Sequence, residues 1–380
     1  MSGIYIHIPF CRQRCHYCDF YSTTQIKRKP ELILALLSEL EQRKDWIGEE
    51  TIRTIYFGGG TPSLLSIDEI NQILDSIYLN YNVVENPEIT FEANPDDLTE
   101  KQLRLLSETR INRLSIGIQS FFNDDLQLMN RRHDREQAIN SVKMAQEFGF
   151  KNISVDLIFG LPNLSIERWN ENLKIVESLN VQHLSAYHLT YEKGTVFEIK
   201  RKKGEITPIM EEASIMQFKT LIAWAKQNNF IQYEISNFGK ESFFSQHNSN
   251  YWNQKKYLGI GPSAHSYNID TRLWNPSNLS MYINGIMKKQ AVYEKEILSE
   301  SDKYNELLIT ALRTKRGLNL AQVEAQFGNR VKHHLLHNSQ KFVESKKLYL
   351  KDNALVLSDE GVFVSDAIMA ELMLVEEEID

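Results

Sequence analysis

Six short β-rich runs alternate with amphipathic stretches through the first half of the chain, and no other feature restricts the fold as much. The runs fall at 4–8, 54–57, 88–92, 113–119, 153–158 and 183–188. Between them, segments 31–46, 67–79, 101–108, 136–148 and 167–179 carry apolar residues at helical spacing. Two of these segments open on a capping-box pattern, Ser66-x-x-Glu69 and Thr99-x-x-Gln102, in which side chains satisfy free backbone N–H groups at a helix start. Six strand–helix units in a row predict an α/β fold around a parallel sheet, either doubly wound or curled into a partial or full barrel.

The strand faces favour the barrel. A parallel strand covered on both sides reads as a nearly continuous apolar run. Here one face repeatedly carries polar or small residues: Tyr5 and His7, Thr90 and Glu92, Ser115 with Gly117 and Gln119, Ser154 and Asp156, Ser185 and Tyr187. The alternate face is apolar, as in Ile4, Ile6 and Ile8 or Ile153, Val155 and Leu157. Because side chains alternate with period two, one face meets helices and the other lines a hydrated or ligand-filled lumen. Satisfied core polar groups would account for two such strands, but hardly five. The expectation is a partial (β/α)6 barrel over residues 1–195.

Residues 196–300 form a second section, with a helix at 210–227 and an aromatic, Asn-rich stretch at 243–252. Residues 301–380 change character. Tyr304, Leu307, Leu308, Ala311 and Leu312 share one helical face, a second helix at 320–327 stops at Gly328, and 348–351 and 354–357 flank the two-residue turn Asp352-Asn353. Helix, turn, helix and hairpin predict a small α+β winged-helix-like domain. Such modules often read DNA, but this one ends in the acidic stretch 376–380, and the chain holds 50 acidic against 43 basic residues, a net charge of −7. That balance opposes broad attraction to nucleic acid, so packing against the barrel is the expected role. No apolar run approaches the about 18 residues of a membrane span. The start, MSGIYIHIPF, has no basic segment leading into a long apolar one, and the reading is cytoplasmic.

Cysteine usage points to chemistry. The three cysteines, Cys11, Cys15 and Cys18, lie within eight residues in the loop after the first strand. An odd, crowded trio is a poor disulfide framework and a good metal-ligand cluster. Thiolates hold iron–sulfur clusters, and a cube with three protein ligands keeps one iron open for a small molecule. Zinc competes: three thiolates with His16 or His7 would complete a tetrahedron, in a barrel without redox chemistry. Structural zinc usually brings a second cysteine pair, and this chain has none.

Followed by Gly58-Gly59-Gly60-Thr61-Pro62 after the second strand, the cysteine motif resembles that of the radical S-adenosylmethionine (SAM) superfamily. The resemblance implies a [4Fe-4S] cluster on Cys11, Cys15 and Cys18, whose open iron takes the amino and carboxylate groups of SAM. An electron from the cluster would cleave the sulfonium to a 5′-deoxyadenosyl radical. More narrowly, IYIHIPFCRQRCHYCDF, YFGGGTP, FEANP, LSIGIQSF and VDLIFGLP resemble the oxygen-independent coproporphyrinogen III oxidase-like family over nearly the whole chain. Carried over by motif, Tyr5 lies beside the cluster and SAM, and Gly59, Gly60 and Thr61 hold the methionine end. Glu92, Gln119, Arg131 and Asp156 make further SAM contacts. Tyr5, Glu92, Gln119 and Asp156 also fall on the polar strand face. Arg131 rests on the resemblance alone, and beside Arg132 and His133 its other reading is a solvated helix start.

Two departures from the oxidase pattern stand out. Where that pattern has a fourth cysteine, this chain has Phe20, and only Met1, Ser2 and Gly3 precede the first strand in place of an N-terminal extension. The HemW-type heme-chaperone branch of the family shares both departures and a His-Asn-x-x-Tyr-Trp signature, here His247 to Trp252. The resemblance to this branch implies a chaperone that binds heme or porphyrin and delivers heme to acceptor respiratory hemoproteins. His247 is then the candidate heme ligand, with His16, His188 and His265 as rivals. A homodimer stays open, as does enzyme activity. The alternative is a coproporphyrinogen III dehydrogenase of porphyrin biosynthesis, converting two propionates to vinyls by radical decarboxylation.

Overall fold

A computed structural model describes residues 2–375, so the acidic stretch 376–380 lies outside the described residues. Strands β1 (Ser2–Ile8), β2 (Ile52–Gly59), β3 (Val83–Ala93), β4 (Arg113–Gln119), β5 (Ile153–Phe159) and β6 (His183–His188) pair in parallel in chain order. Helices α1 (Lys29–Gln42), α2 (Ile67–Asn80), α3 (Glu100–Ser107), α4 (Asn123–Leu128), α5 (Arg135–Glu147) and α6 (Ile166–Ser178) fill the crossovers. Their starts follow local chemistry. Ser66 and Glu69 form the complete reciprocal box at α2, and Thr99 accepts from Gln102 N–H at α3. The sheet's apolar face carries Ile4, Ile6, Ile55, Phe57, Ile116 and Val155, all fully buried against helix residues such as Leu36, Leu40, Ile73 and Ile77. Each such side chain contributes about 1.5–3 kcal/mol by leaving water. The polar face turns into the lumen, as period two requires.

The section 196–300 contains α7 (Val196–Lys202) and α8 (Glu211–Gln227), then β7 (Ile231–Gln232), β8 (Asn237–Gly239), α9 (Gln246–Trp252), β9 (Tyr257–Ile260), β10 (His265–Tyr267), β11 (Thr271–Trp274), α10 (Leu279–Met287) and β12 (Glu294–Ile297). Its strands join the barrel sheet instead of building a sheet of their own. β9 runs parallel to β1, with β10, β11 and β12 beyond it, and β8 and β7 extend the sheet past β6. These strands are two to four residues long, too short for a period to show in the sequence. The twelve strands form one open, linear order from β12 to β7.

The C-terminal module contains α11 (Glu300–Leu312), β13 (Leu318–Asn319), α12 (Leu320–Glu344), β14 (Leu348–Lys351), β15 (Ala354–Leu357) and α13 (Ser365–Leu372). Gly328 breaks α12 with φ +83°, and Asp352 and Asn353 turn the β14–β15 hairpin with φ +49° and +59°. Tyr304, Leu308, Val323, Leu335 and Leu355 form a second core.

Candidate functional site

The cysteines occupy the loop that leaves the carboxyl end of β1, and three attachments hold its path. Cys11 N–H donates to Thr23 O, and Thr23 N–H to Pro9 O, closing the loop's base. His16 N–H and Nδ1 bond to the carbonyls of Met129 and Leu128, and Gln13 Nε2 donates to Asn130 O. Phe197 N–H at the start of α7 donates to His16 O. His16 is therefore a clamp for the loop. His7 is committed as well, with Nε2 3.0 Å from Tyr21 O and Nδ1 3.2 Å from Tyr5 Oη. Burial, partly offset by the bond to Tyr21 O, pushes the His7 ring down to about 4. Both ring nitrogens of His7 are thus engaged, whereas the His16 ring is bonded through Nδ1 alone. Among the described residues no group of three or more His, Cys, Asp or Glu side chains is arranged to hold a single ion.

The thiols are free and border a cavity of about 790 Å³, a size that suits one or two small ligands. A chain of donors joins two of them. Thr61 Oγ1 donates to Cys11 Sγ at 3.4 Å, Asn94 Nδ2 to Thr61 Oγ1 at 3.3 Å, Arg131 Nη2 to Asn94 Oδ1 at 2.6 Å, and Arg131 Nη1 to Cys15 Sγ at 3.3 Å. Burial raises Cys11 and pushes Cys18 up to about 11. Soft sulfur donors, polar hydrogens aimed at them and an adjoining cavity fit an iron–sulfur cluster, in which such hydrogen bonds stabilise sulfur charge.

Glycines shape the neighbouring floor. A Cβ at Gly60 would sit 2.7 Å from Pro9 C and 2.8 Å from Phe10 O, and Gly59 has φ +104° with the His7 ring against it. Only glycine admits both the approach and that backbone. Deeper in the lumen, Tyr56 donates to Glu92, and Ser115 donates to Asp156 at 3.2 Å. Burial pushes Glu92 up to about 7, with Asp156 adding repulsion and Tyr56 and Arg113 opposing it. Gln119 reaches the cavity from a register shift in β4, with φ +71°.

Cys11, Cys15, Cys18, Gly59, Gly60, Thr61, Glu92, Gln119, Arg131 and Asp156 all line this one cavity. Arg131 is no solvated helix start, since it reaches from the segment after α4 to bond Gly117 O and Cys15. Tyr5 is absent from the lining. It packs one layer down against Tyr56, His7 and His247. Asn94 and Arg113 escaped the sequence reading, although Asn94 stands inside FEANP and Arg113 opens a strand already assigned.

His247, the candidate heme ligand, lies away from this cavity. It is 2% exposed, with Nδ1 2.8 Å from Thr54 Oγ1 and Nε2 2.9 Å from Tyr251 Oη. Burial, then the charge of Arg113, lowers it to about 3. Both ring nitrogens are engaged by hydroxyls in this structure. His265 stacks on Trp274 outside the cavity lining, whereas His188 lines the cavity.

Three thiols on the loop after β1, a glycine floor after β2 and polar strand ends around one cavity define the radical SAM class. A family model described as Radical SAM superfamily matches residues 5–176, and one described as HemN C-terminal domain matches 298–364. The chain is 32% identical to the heme chaperone HemW of Bacillus subtilis over 97% of this chain and 98% of that protein. It is 33% identical to HemW of Haemophilus influenzae, covering 82% of each. The solved structure of coproporphyrinogen III oxidase (HemN) from Escherichia coli superposes with a TM-score of 0.84 at 22% identity, covering 98% of this chain and 90% of that one, a likeness of fold. The chain belongs to the HemW family of the radical SAM superfamily.

Proposed function

We propose that this protein is a heme chaperone, binding heme and delivering it to acceptor hemoproteins, the respiratory ones among them. The observation that carries the reading is the end-to-end likeness to HemW chaperones. Phe20 agrees with it: 65% exposed and lining the cavity, it supplies an apolar ring where the oxidase pattern has a fourth thiol.

On this reading Cys11, Cys15 and Cys18 hold a [4Fe-4S] cluster. Gly59, Gly60 and Thr61 receive the methionine end of SAM, and Glu92, Gln119, Arg131 and Asp156 face the remainder. When bound, the pair supplies a reducing electron and a sulfonium to accept it. The protein's own part is positional. Thr61 and Arg131 direct hydrogens at two sulfurs, Gly60 keeps the floor low, and Glu92 and Asp156 offer carboxylates to polar hydrogens of the nucleotide.

The test uses full-length protein reconstituted without oxygen. It should give a Soret band on hemin titration and, once loaded, pass heme to an apocytochrome of the respiratory chain. Incubated with coproporphyrinogen III, SAM and reductant, it should yield no protoporphyrinogen at catalytic turnover. Turnover without heme transfer would overturn the reading.

A further inference from the structure

A continuous run of rings follows one wall of the cavity, from the last barrel strand to the C-terminal module. His188 meets Phe159 edge-on at 5.2 Å, Phe159 stacks on Phe218 at 5.7 Å, and Phe218 meets Phe363 edge-on at 5.2 Å. All four line the cavity, and Phe363 comes from the segment between β15 and α13. Arg313, which caps the C-terminus of α11, borders the same space. Its Nε is buried without a hydrogen-bond partner, and its nearest carboxylate, Asp366, is 3.7 Å away and 91% exposed. Neither ring nitrogen of His188 is engaged by a hydrogen bond among the described residues. The chain thus offers an aromatic wall with an unengaged imidazole on the barrel side and an incompletely matched guanidinium on the module side.

Packed aromatic rings bordering the cavity, of which Phe159 and Phe218 are themselves nearly buried, a nitrogen donor and an arginine suit a flat amphipathic macrocycle that carries a metal at its centre and carboxylates at its rim. We propose that this wall is the heme site, with His188 as the axial ligand of the iron and Arg313 as the partner of a propionate, a placement that rests on the heme-chaperone reading. Partial desolvation at the cavity edge lowers the His188 ring from its ordinary range, the direction that favours a neutral imidazole. Gly160, with φ +76°, leaves room for that ring, since a Cβ there would sit 2.7 Å from His188 Nε2. The site spans the barrel and the C-terminal module, giving the module a part in holding cargo.

Hemin and metal-free protoporphyrin separate the two contacts. With cluster-replete, full-length protein, His188→Ala should weaken hemin binding about ten-fold or more and move the Soret maximum, and added imidazole should restore its position. The same variant should bind metal-free protoporphyrin like the parent, whereas Arg313→Gln should weaken both ligands. His337→Gln, on the exposed side of α12, serves as the control histidine and should change neither. His188 is exposed at the residue level though its ring packs on Phe159, and iron content with circular dichroism checks that the variant folds. A His188→Ala variant matching the parent in spectrum and affinity overturns the ligand assignment while heme binding stands. A parent that binds no hemin overturns the chaperone reading itself.

Discussion

The Tyr56 hydroxyl donates to Glu92 Oε1 at 2.7 Å, inside a lumen that also holds Asp156 and Arg113. Burial dominates there and lifts Glu92 from 4.5 to about 7, the Tyr56 bond notwithstanding. Between those two values the unfolded chain has released a proton that the folded chain keeps, so this carboxyl makes the fold less stable as pH rises through the window. In cofactor-free protein, Glu92→Gln should therefore lose less stability than the parent between pH 5 and pH 8. Urea midpoints at the two pH values check this, and parallel slopes would refute it.

Arg113 is 1% exposed, with Nε unpartnered and only a 3.5 Å bond to Thr90. Its charge holds Glu92 and Asp156 lower than burial alone would. In Arg113→Met the Glu92 titration should move above about 7, and SAM binding by the cluster-loaded protein should fail at a higher pH than in the parent. Calorimetric titration across pH 6–8.5 reads the displacement directly.

Much of this architecture was legible because it rests on periodicity. Ile4, Ile6 and Ile8 against Tyr5 and His7 announce a two-faced strand whatever surrounds it, and the six strands all appear. The cysteine loop and the glycine turn were legible as motifs, since their chemistry needs fixed residues at fixed spacing. What stayed hidden depends on depth. His247 and His188 look alike as letters, yet one is clamped between Thr54 and Tyr251 and the other borders the cavity. Tyr5 occupies the expected face but stands outside the cavity lining, because period two gives the face and says nothing about the level along the barrel axis. Arg313 and Phe363 reach the cavity only because the module folds back onto the barrel.

His247 should behave as a structural residue. Its removal leaves Thr54 Oγ1 and Tyr251 Oη without that shared partner inside the lumen. His247→Ala should cost about 2–4 kcal/mol, combining lost bonds with a cavity, while the heme spectrum of the folded fraction stays in place. Urea unfolding and a hemin titration on the same sample decide it, and a displaced Soret band at unchanged stability would return His247 to the heme.

Arg131 ties Cys15 to Asn94 and to Gly117 O through one planar fork. Lysine keeps the charge but cannot span those acceptors. Loss of a hydrogen bond to a cluster sulfur removes a stabiliser of the reduced, more negative state. Arg131→Lys should therefore retain iron yet show a more negative midpoint potential, read by redox titration with electron paramagnetic resonance. An unchanged potential would mean that the guanidinium does not bond the sulfur once the cluster is in place.

Gly60 offers a sharper test, because what it touches cannot step aside. An added methyl would meet Pro9 C and the carbonyl oxygens of Pro9 and Phe10, all backbone, immediately before Cys11. The Gly60 N–H also donates to Ile8 O at 2.8 Å, so the two strand ends are tied from both directions. Gly60→Ala should cost about 1–3 kcal/mol through forced overlap. The strain falls on the two residues that launch the cysteine loop, so the fold can relieve it only by shifting Cys11 relative to the other two thiols. Iron per folded chain should fall by more than half in a sample whose far-ultraviolet circular dichroism matches the parent. Full iron content at reduced stability would show that the loop moves as a unit and that the glycine serves the strand ends alone.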